Sequence, residues 1–230
     1  MEKIRTITFV LPISLLSVPS LAVAFAQMNQ PNITDTNSQQ TTSALENADN
    51  NNFLTYENAT LGISIQYPSG WMKVEENGTG VMFISPPDKN NSEASSVMVN
   101  VQIANLSLFS LSPSDLSLEN YTNLTIEALT SANLIVADFN IIESNSTTLG
   151  IGNKDSTNTA HKLVFSMQEG EEGLTVQQMQ IYTIRDSTLY SITYIAESGK
   201  YPIYFPTVQK IIDSFTIIDH QQKGGMFIDG

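Results

Sequence analysis

The chain has 230 residues, no cysteine and a formal net charge of -13 at pH 7. Without cysteine there is no disulfide, no thiolate nucleophile and no cysteine-ligated zinc or iron–sulfur site. The acidic balance repels phosphate backbones and anionic lipid surfaces, which removes nucleic acid from the expected partners.

At the N-terminus, Lys3 and Arg5 precede an uncharged apolar run from Ile7 that ends in Ala24-Phe25-Ala26. This is the pattern of a signal peptide over residues 1–26, cleaved after Ala26. The run is also long enough to span a bilayer, so an uncleaved anchor is the alternative, and membrane contact is expected only through this segment. Either way the remainder is expected outside the cytoplasm, secreted or held at the outer face of the cell membrane. Residues 27–52 are dominated by Asn, Gln, Ser and Thr and cannot bury enough apolar surface to offset ordering entropy. They read as a flexible tether with an end-to-end distance of about 25 to 30 Å.

Regular signals begin at Phe53 and run to Asp219, the expected folded domain, followed by a mobile tail over 220–230. In YENATLGISIQYPSGW, residues 56–71, Ile63, Ile65 and Tyr67 alternate with Ser64 and Gln66 as in a half-buried strand. Pro68 should end that strand, and Ser69-Gly70 should turn the chain before Trp71, which is expected to pack inside. Val81 to Ile84 reads as a short buried strand closed by Pro86-Pro87, and Val97, Val99, Val101 and Ile103 as one face of a longer strand. Ser117 can cap a helix with an apolar stripe of Leu118, Tyr121, Leu124, Ala128 and Leu129, opposite Asn120, Asn123 and Glu127. Phe139 to Ile142 suggests a further strand.

His161, Leu163, Phe165 and Met167 share a strand face, and Glu169 to Gly173 turns the chain back. The returning strand, Leu174 to Arg185, changes apolar phase at Gln177-Gln178, which predicts a bulge. After a turn at Asp186-Ser187, Tyr190, Ile192, Tyr194 and Ala196 should line the core face of the next strand. Pro206 fits a first helical position, with Val208, Ile211, Ile212 and Phe215 as the apolar face of a closing helix. Consecutive hairpins and two one-sided helices predict a single α+β domain, an antiparallel sheet covered by helices.

Two blocks carry a family resemblance. YENATLGISIQYPSGW resembles the opening of PsbP-like domains, where an aromatic-rich first strand turns through Gly into a strand ending in Tyr-Pro-x-x-Trp. TLYSITYIAESGKYPIYFPTVQKIIDSFTI is similar to the family's last strand, closing helix and Ser-Phe strand. The resemblance implies an α-β-α sandwich, a central antiparallel sheet flanked by helices, in an extracytoplasmic setting. The best-known relatives are extrinsic subunits of photosystem II that help to retain calcium and chloride at the oxygen-evolving centre. Their metal ligands lie outside the matched motifs, and the Asn-rich segment does not match their N-terminal segment, so neither role is carried across.

For chemistry, His161 and His220 are the only histidines, and His161 reads as a sheet histidine ahead of a catalytic base. No Gly-x-Ser-x-Gly or Ser-x-x-Lys motif supplies a nucleophile. No catalytic, cofactor-binding or metal residue is assigned. Calcium or another divalent cation is the cofactor alternative, at Glu169, Glu171 and Glu172 or at Asp88 to Glu93, but neither group enforces a coordination geometry. The Asn-x-Ser/Thr pattern exceeds its background, at Asn32, Asn58, Asn77, Asn90, Asn105, Asn120, Asn123 and Asn145, making these candidate glycosylation sites. The expected function is a non-enzymatic accessory or binding module that supports a surface or membrane complex through a protein partner. The alternatives are a small-ligand or divalent-cation-binding protein with Tyr201, Tyr204 and Phe205 lining a pocket and, with less support, a metal-assisted hydrolase.

Overall fold

The computed structural model describes residues 52–87, 97–108, 117–131, 137–150, 158–168 and 175–218. The signal segment, nearly all of the tether, and the tail lie outside these residues, as do Glu169, Glu171, Glu172, Asp88 to Glu93 and His220. Among the described residues no helix is long and apolar enough to cross a membrane.

The described chain forms a large antiparallel sheet, a small one and two α-helices. Strands β1 (Phe53–Asn58) and β2 (Ile63–Pro68) make a hairpin. Gly62 sits at φ 66 just before β2, a conformation that glycine adopts without steric cost. Pro68 closes β2, the Trp71 amide bonds its carbonyl at 2.9 Å, and the chain passes into a second sheet. There β3 (Met72–Glu76), β4 (Gly80–Ile84) and β5 (Met98–Asn105) run as an antiparallel meander. A Cβ on Gly80 would lie 2.2 Å from the Val101 carbonyl oxygen, so only glycine lets β4 approach β5 this closely.

Beyond a 3-10 turn at Leu106–Leu108 come helix α1 (Leu118–Ser131) and strands β6 (Ala137–Leu149), β7 (Asn158–Gln168), β8 (Thr175–Arg185) and β9 (Thr188–Glu197). Helix α2 (Tyr201–Asp213) and the short β10 (Thr216–Ile217) complete the described fold. The large sheet has the order β3-β4-β5-β9-β8-β7-β6, and β10 returns to β2, giving a separate β1-β2-β10 sheet. The single sheet expected from the sequence is therefore two sheets, because Pro68 ends one ladder and Trp71 begins the approach to another.

One face of the large sheet carries Val99, Val101, Ile192, Tyr194, Met179 and Val164 into a core cluster shared with the small sheet and α2. Leu163, Phe165, Tyr182 and Leu189 belong to a second cluster with Tyr121 and half-buried Leu118, Ile126 and Leu129 of α1. Consecutive residues of β7, such as Leu163 and Val164, thus feed different clusters, as period-two geometry requires. The opening stretch belongs to the first cluster: Tyr67 stacks on Phe83 at 4.5 Å, Tyr56 meets the same ring edge-on at 6.3 Å, and Trp71 lies 6.4 Å from Tyr204.

Three expectations need correction. Strand β8 keeps an unbroken register with β7 and β9, so the phase change at Gln177-Gln178 is no bulge. It arises because β8 is buried on both faces, Val176 on one and Met179 and Ile181 on the other. The register shifts occur instead in β6, between Ala137 and Asn140 and between Ile141 and Glu143. Helix α2 starts at Tyr201, with Pro202 in the tolerated early position and Pro206 inside the helix, where it forgoes a bond to the Pro202 carbonyl.

On α1, Ser117 caps as expected, its Oγ accepting from the Asn120 amide at 3.1 Å. The buried stripe, however, contains Thr122 and Thr125 beside Tyr121, while Leu124 and Ala128 are half-buried. Each threonine hydroxyl donates to the carbonyl one turn earlier at 2.8 Å, which satisfies its polar group and lets it face the sheet.

Trp71 is only 7% exposed. Trp71→Ala is expected to cost about 3 to 5 kcal/mol of unfolding free energy in a urea titration, from lost burial and the cavity left behind. A variant that unfolds like the parent would show that Trp71 is dispensable to the core.

Candidate functional site

Strand β8 lies between β7 and β9, and it is buried on both faces, through Val176, Gln178 and Tyr182 on one and Met179 and Ile181 on the other. Its α2-side positions include buried Met179 and Ile181, and its α1-side positions include Gln178 and Gln180, both buried. The register continues this polar band across the sheet, aligning Gln180 with Thr193 of β9 and Thr193 with Asn100 of β5. Buried Ser191 stands in the next row. Gln178 is 1% exposed, yet among the described residues neither its Nε2 nor its Oε1 has a hydrogen-bond partner, and the Asn100 Oδ1 is likewise unpaired. Each such buried group costs about 1 to 3 kcal/mol against solvation.

Further along the same face the polar groups are paired. Tyr182 donates to the Thr122 hydroxyl of α1 at 3.0 Å, and burial pushes its phenol up to about 12. The His161 ring lies 5.7 Å from the Tyr182 ring, and its Nε2 shares a 2.9 Å hydrogen bond with the Ser144 hydroxyl on the edge strand β6. Burial lowers the His161 pKa, holding the imidazole neutral. A neutral histidine on a serine hydroxyl has the parts of a nucleophile and a base, but no carboxylate among the described residues orients its other ring nitrogen. On the opposite face, Glu143 and Lys162 pair at 2.5 Å, and that hydrogen bond holds the Glu143 carboxyl below its usual range. Among the described residues no three His, Asp or Glu side chains gather in a group able to hold a metal ion.

The candidate glycosylation residues occupy different settings. Asn77 lies at the exposed β3–β4 turn with φ 34, and Asn123 on the exposed side of α1. Asn105 and Asn145 are exposed at β5 and β6, where Asn105 Oδ1 accepts from the Ser107 amide and Asn145 Nδ2 donates to Glu143. Asn120 is half-buried. Asn58 is committed to its turn, donating to the Tyr56 hydroxyl and accepting from the Thr60 and Leu61 amides. Asn32 and Asn90 lie outside the described residues.

The aromatics expected to line a pocket are packed together. Tyr201 stacks on Tyr194 at 4.6 Å, Phe205 stacks on Tyr201 at 6.1 Å, and the Tyr194 hydroxyl donates to the Tyr201 carbonyl at 2.8 Å. Sequence reasoning missed Gln178, Gln180, Asn100 and Ser144. Polar residues alternating with apolar ones ordinarily mark a solvent face, and the only sign of a covered one was the lost alternation in VQQMQIY of β8.

The sequence matches the profile of PsbP-like proteins over residues 11–217. Cyanobacterial PsbP (CyanoP) from Synechocystis sp. PCC 6803 is a similar solved structure, at 14% identity and a TM-score of 0.51, covering 79% of this chain and 98% of its own. LpqN of Mycobacterium tuberculosis, described as involved in cell envelope biogenesis, aligns at 13% identity and a TM-score of 0.46 over 68% of this chain and 83% of its own. No curated protein matches the chain.

A histidine with a depressed folded pKa binds its proton more readily in the unfolded chain. Its contribution to stability is therefore present above the unfolded value of about 6.5 and is lost as pH falls through the folded value. His161→Gln should show a shallower loss of melting temperature than the parent between about pH 7 and pH 5. Identical slopes would mean that His161 titrates alike in both states.

Proposed function

The chain belongs to the PsbP-like protein family, and from that premise we propose that it is a non-enzymatic accessory or binding module outside the cytoplasm, supporting a cell-surface or membrane complex through a protein partner. The observation that carries the reading is the family match, which extends over nearly the whole described fold. The charged, apolar and Ala-x-Ala pattern of residues 1–26 supports export. The division of β7 residues between the α1 and α2 clusters supports the finer architecture, an α-β-α sandwich with the large sheet between helices. No cofactor is required by this reading. Asn77, Asn105, Asn123 and Asn145 are the candidate glycosylation residues that exposure favours. The small-ligand alternative is favoured by the unpaired amide of Gln178.

Two measurements test the proposal. Protease added to intact native cells should cut between Gln27 and Asn52 and release a resistant fragment beginning near Phe53; a chain protected until the cells are lysed would place it inside and sink the reading. The fragment should run heavier than its sequence mass if the exposed sequons are used. In the second measurement, parent, Ser144→Ala and His161→Gln should hydrolyse p-nitrophenyl acetate at the same rate, indistinguishable from a protein blank. Saturable turnover that Ser144→Ala abolishes would make the protein an enzyme.

A further inference from the structure

Among the described residues, the exposed large apolar side chains are Leu54, Met72, Leu108, Ile142 and Ile203, at 44%, 47%, 81%, 52% and 71% exposure. Leu54, Met72 and Ile203 lie at one end of the fold. Strand register puts Phe53 opposite Pro68, Met72 opposite Ile84, Ile84 opposite Met98 and Met98 opposite Ile195. Because Pro68 leads through Ser69-Gly70-Trp71 into Met72, β1, β3 and β5 all start at this end, and β9 finishes there. Trp71 lies 6.4 Å from Tyr204, which brings the opening turns of α2, with Ile203, to the same place. The chain also enters the fold here, where the Ser69 amide bonds the Asn52 carbonyl at 2.9 Å.

We infer that this end of the domain rests on the bilayer that holds residues 7–26, with Leu54, Met72 and Ile203 entering the headgroup layer of a neutral lipid surface. The inference rests on the anchored form of the proposed function. Met72 stands in the α1-side row of Ile84 and Met98, whereas Ile203 belongs to the helix on the other side of the sheet. Side chains divided in this way do not share a groove, but a plane across the strand ends meets them all. A bilayer is such a plane. The tether read from residues 27–52 has a reach of about 25 to 30 Å and joins the domain at this same end. Three aliphatic side chains are too weak to hold the domain alone, since even a single fatty-acyl chain binds a membrane reversibly. On a tether of this length they meet the lipid at a roughly millimolar effective concentration, which turns a weak contact into a standing one. The net charge of -13 disfavours anionic lipid, which is why the surface is a neutral one. Asn77, between β3 and β4, and Asn105, closing β5, lie at the opposite end, so sugars there would not stand between domain and membrane.

The test uses the full chain reconstituted with phosphatidylcholine vesicles, with and without a nitroxide on the lipid headgroup. Trp71 is the chain's single tryptophan and immediately precedes Met72, so its emission reports on this end of the domain alone. The chain should float with the vesicles, and the nitroxide should lower its emission by about twofold or more. The double variant Met72→Ser with Ile203→Ser should melt like the parent, because both side chains are already exposed, and should escape the quenching. Leu108→Ser removes an exposed apolar side chain at the opposite end, beside the Ser187 turn, and should leave the quenching unchanged. A chain that floats with unquenched Trp71 would overturn the contact and leave the anchor standing, whereas a chain that does not float would overturn both. Quenching that survives the double variant, or that Leu108→Ser abolishes, would also overturn the contact.

Discussion

Everything else in this fold hangs on the pairing of β5 with β9. The ladder joins Met98–Asn105 to Thr188–Glu197 across almost a hundred residues, and it is the seam between the β3-β4-β5 meander and the β9-β8-β7-β6 hairpins. Closing so long a loop is entropically unfavourable, although the cost grows only slowly with length. What offsets it is burial on both sides of the seam: Val99 and Val101 face Tyr194 and Ile192, while Met98 faces Ile195. With residues of this kind each contributing about 1.5 to 3 kcal/mol when fully buried, the seam is among the strongest contacts available to a chain without crosslinks.

Tyr194 then extends the seam into the third dimension. Its ring stacks on Tyr201 and its hydroxyl bonds the Tyr201 carbonyl, which pins the first turn of α2 to the centre of the sheet. Burial raises the Tyr194 pKa, so the phenol stays protonated as a donor. From that anchor α2 lies against β2 as well as β9, and Ser214 just beyond it accepts from the Gln66 amide at 2.8 Å. Phe215 is fully buried and the Ile218 amide bonds the Gly62 carbonyl, so the C-terminal strand locks the small sheet in place. The two segments that carry the family resemblance are therefore physical neighbours, held by Trp71 against Tyr204 and by β2 against β10. Their shared pattern is a folding constraint before it is anything functional.

How legible each element was depended on how many faces it buries. Strand β9 announced itself, with Tyr190, Ile192, Tyr194 and Ala196 on one face, because regular alternation needs only the strand's own geometry. The pattern of β8 was misleading because a strand buried twice has no solvent face to set its phase. Strand β3 passed unnoticed: Met72–Glu76 is an edge strand in which partly buried Val74 stands between exposed Lys73 and Glu75, a composition that resembles a loop. The face of α1 was misassigned because Thr122 and Thr125 count as polar in a sequence but bury once their hydroxyls bond the helix. The start of α2 was misplaced because two prolines, Pro202 and Pro206, each fit an opening position, and only packing on Tyr194 selects the earlier.

By itself the sequence determined the composition class, the alternating strands, the capped helix at Ser117, the inward Trp71 and the family, because each depends on residues close together in the chain or on short motifs. Only the tertiary structure decided that the strands divide into two sheets, that Ser144 meets His161, and that the glutamines of β8 are enclosed instead of solvated. Those outcomes depend on which strand lies beside which. Strand order is set by non-local burial across the β5–β9 seam, and a glutamine in an alternating strand carries no local mark of whether water or another layer of protein will face it.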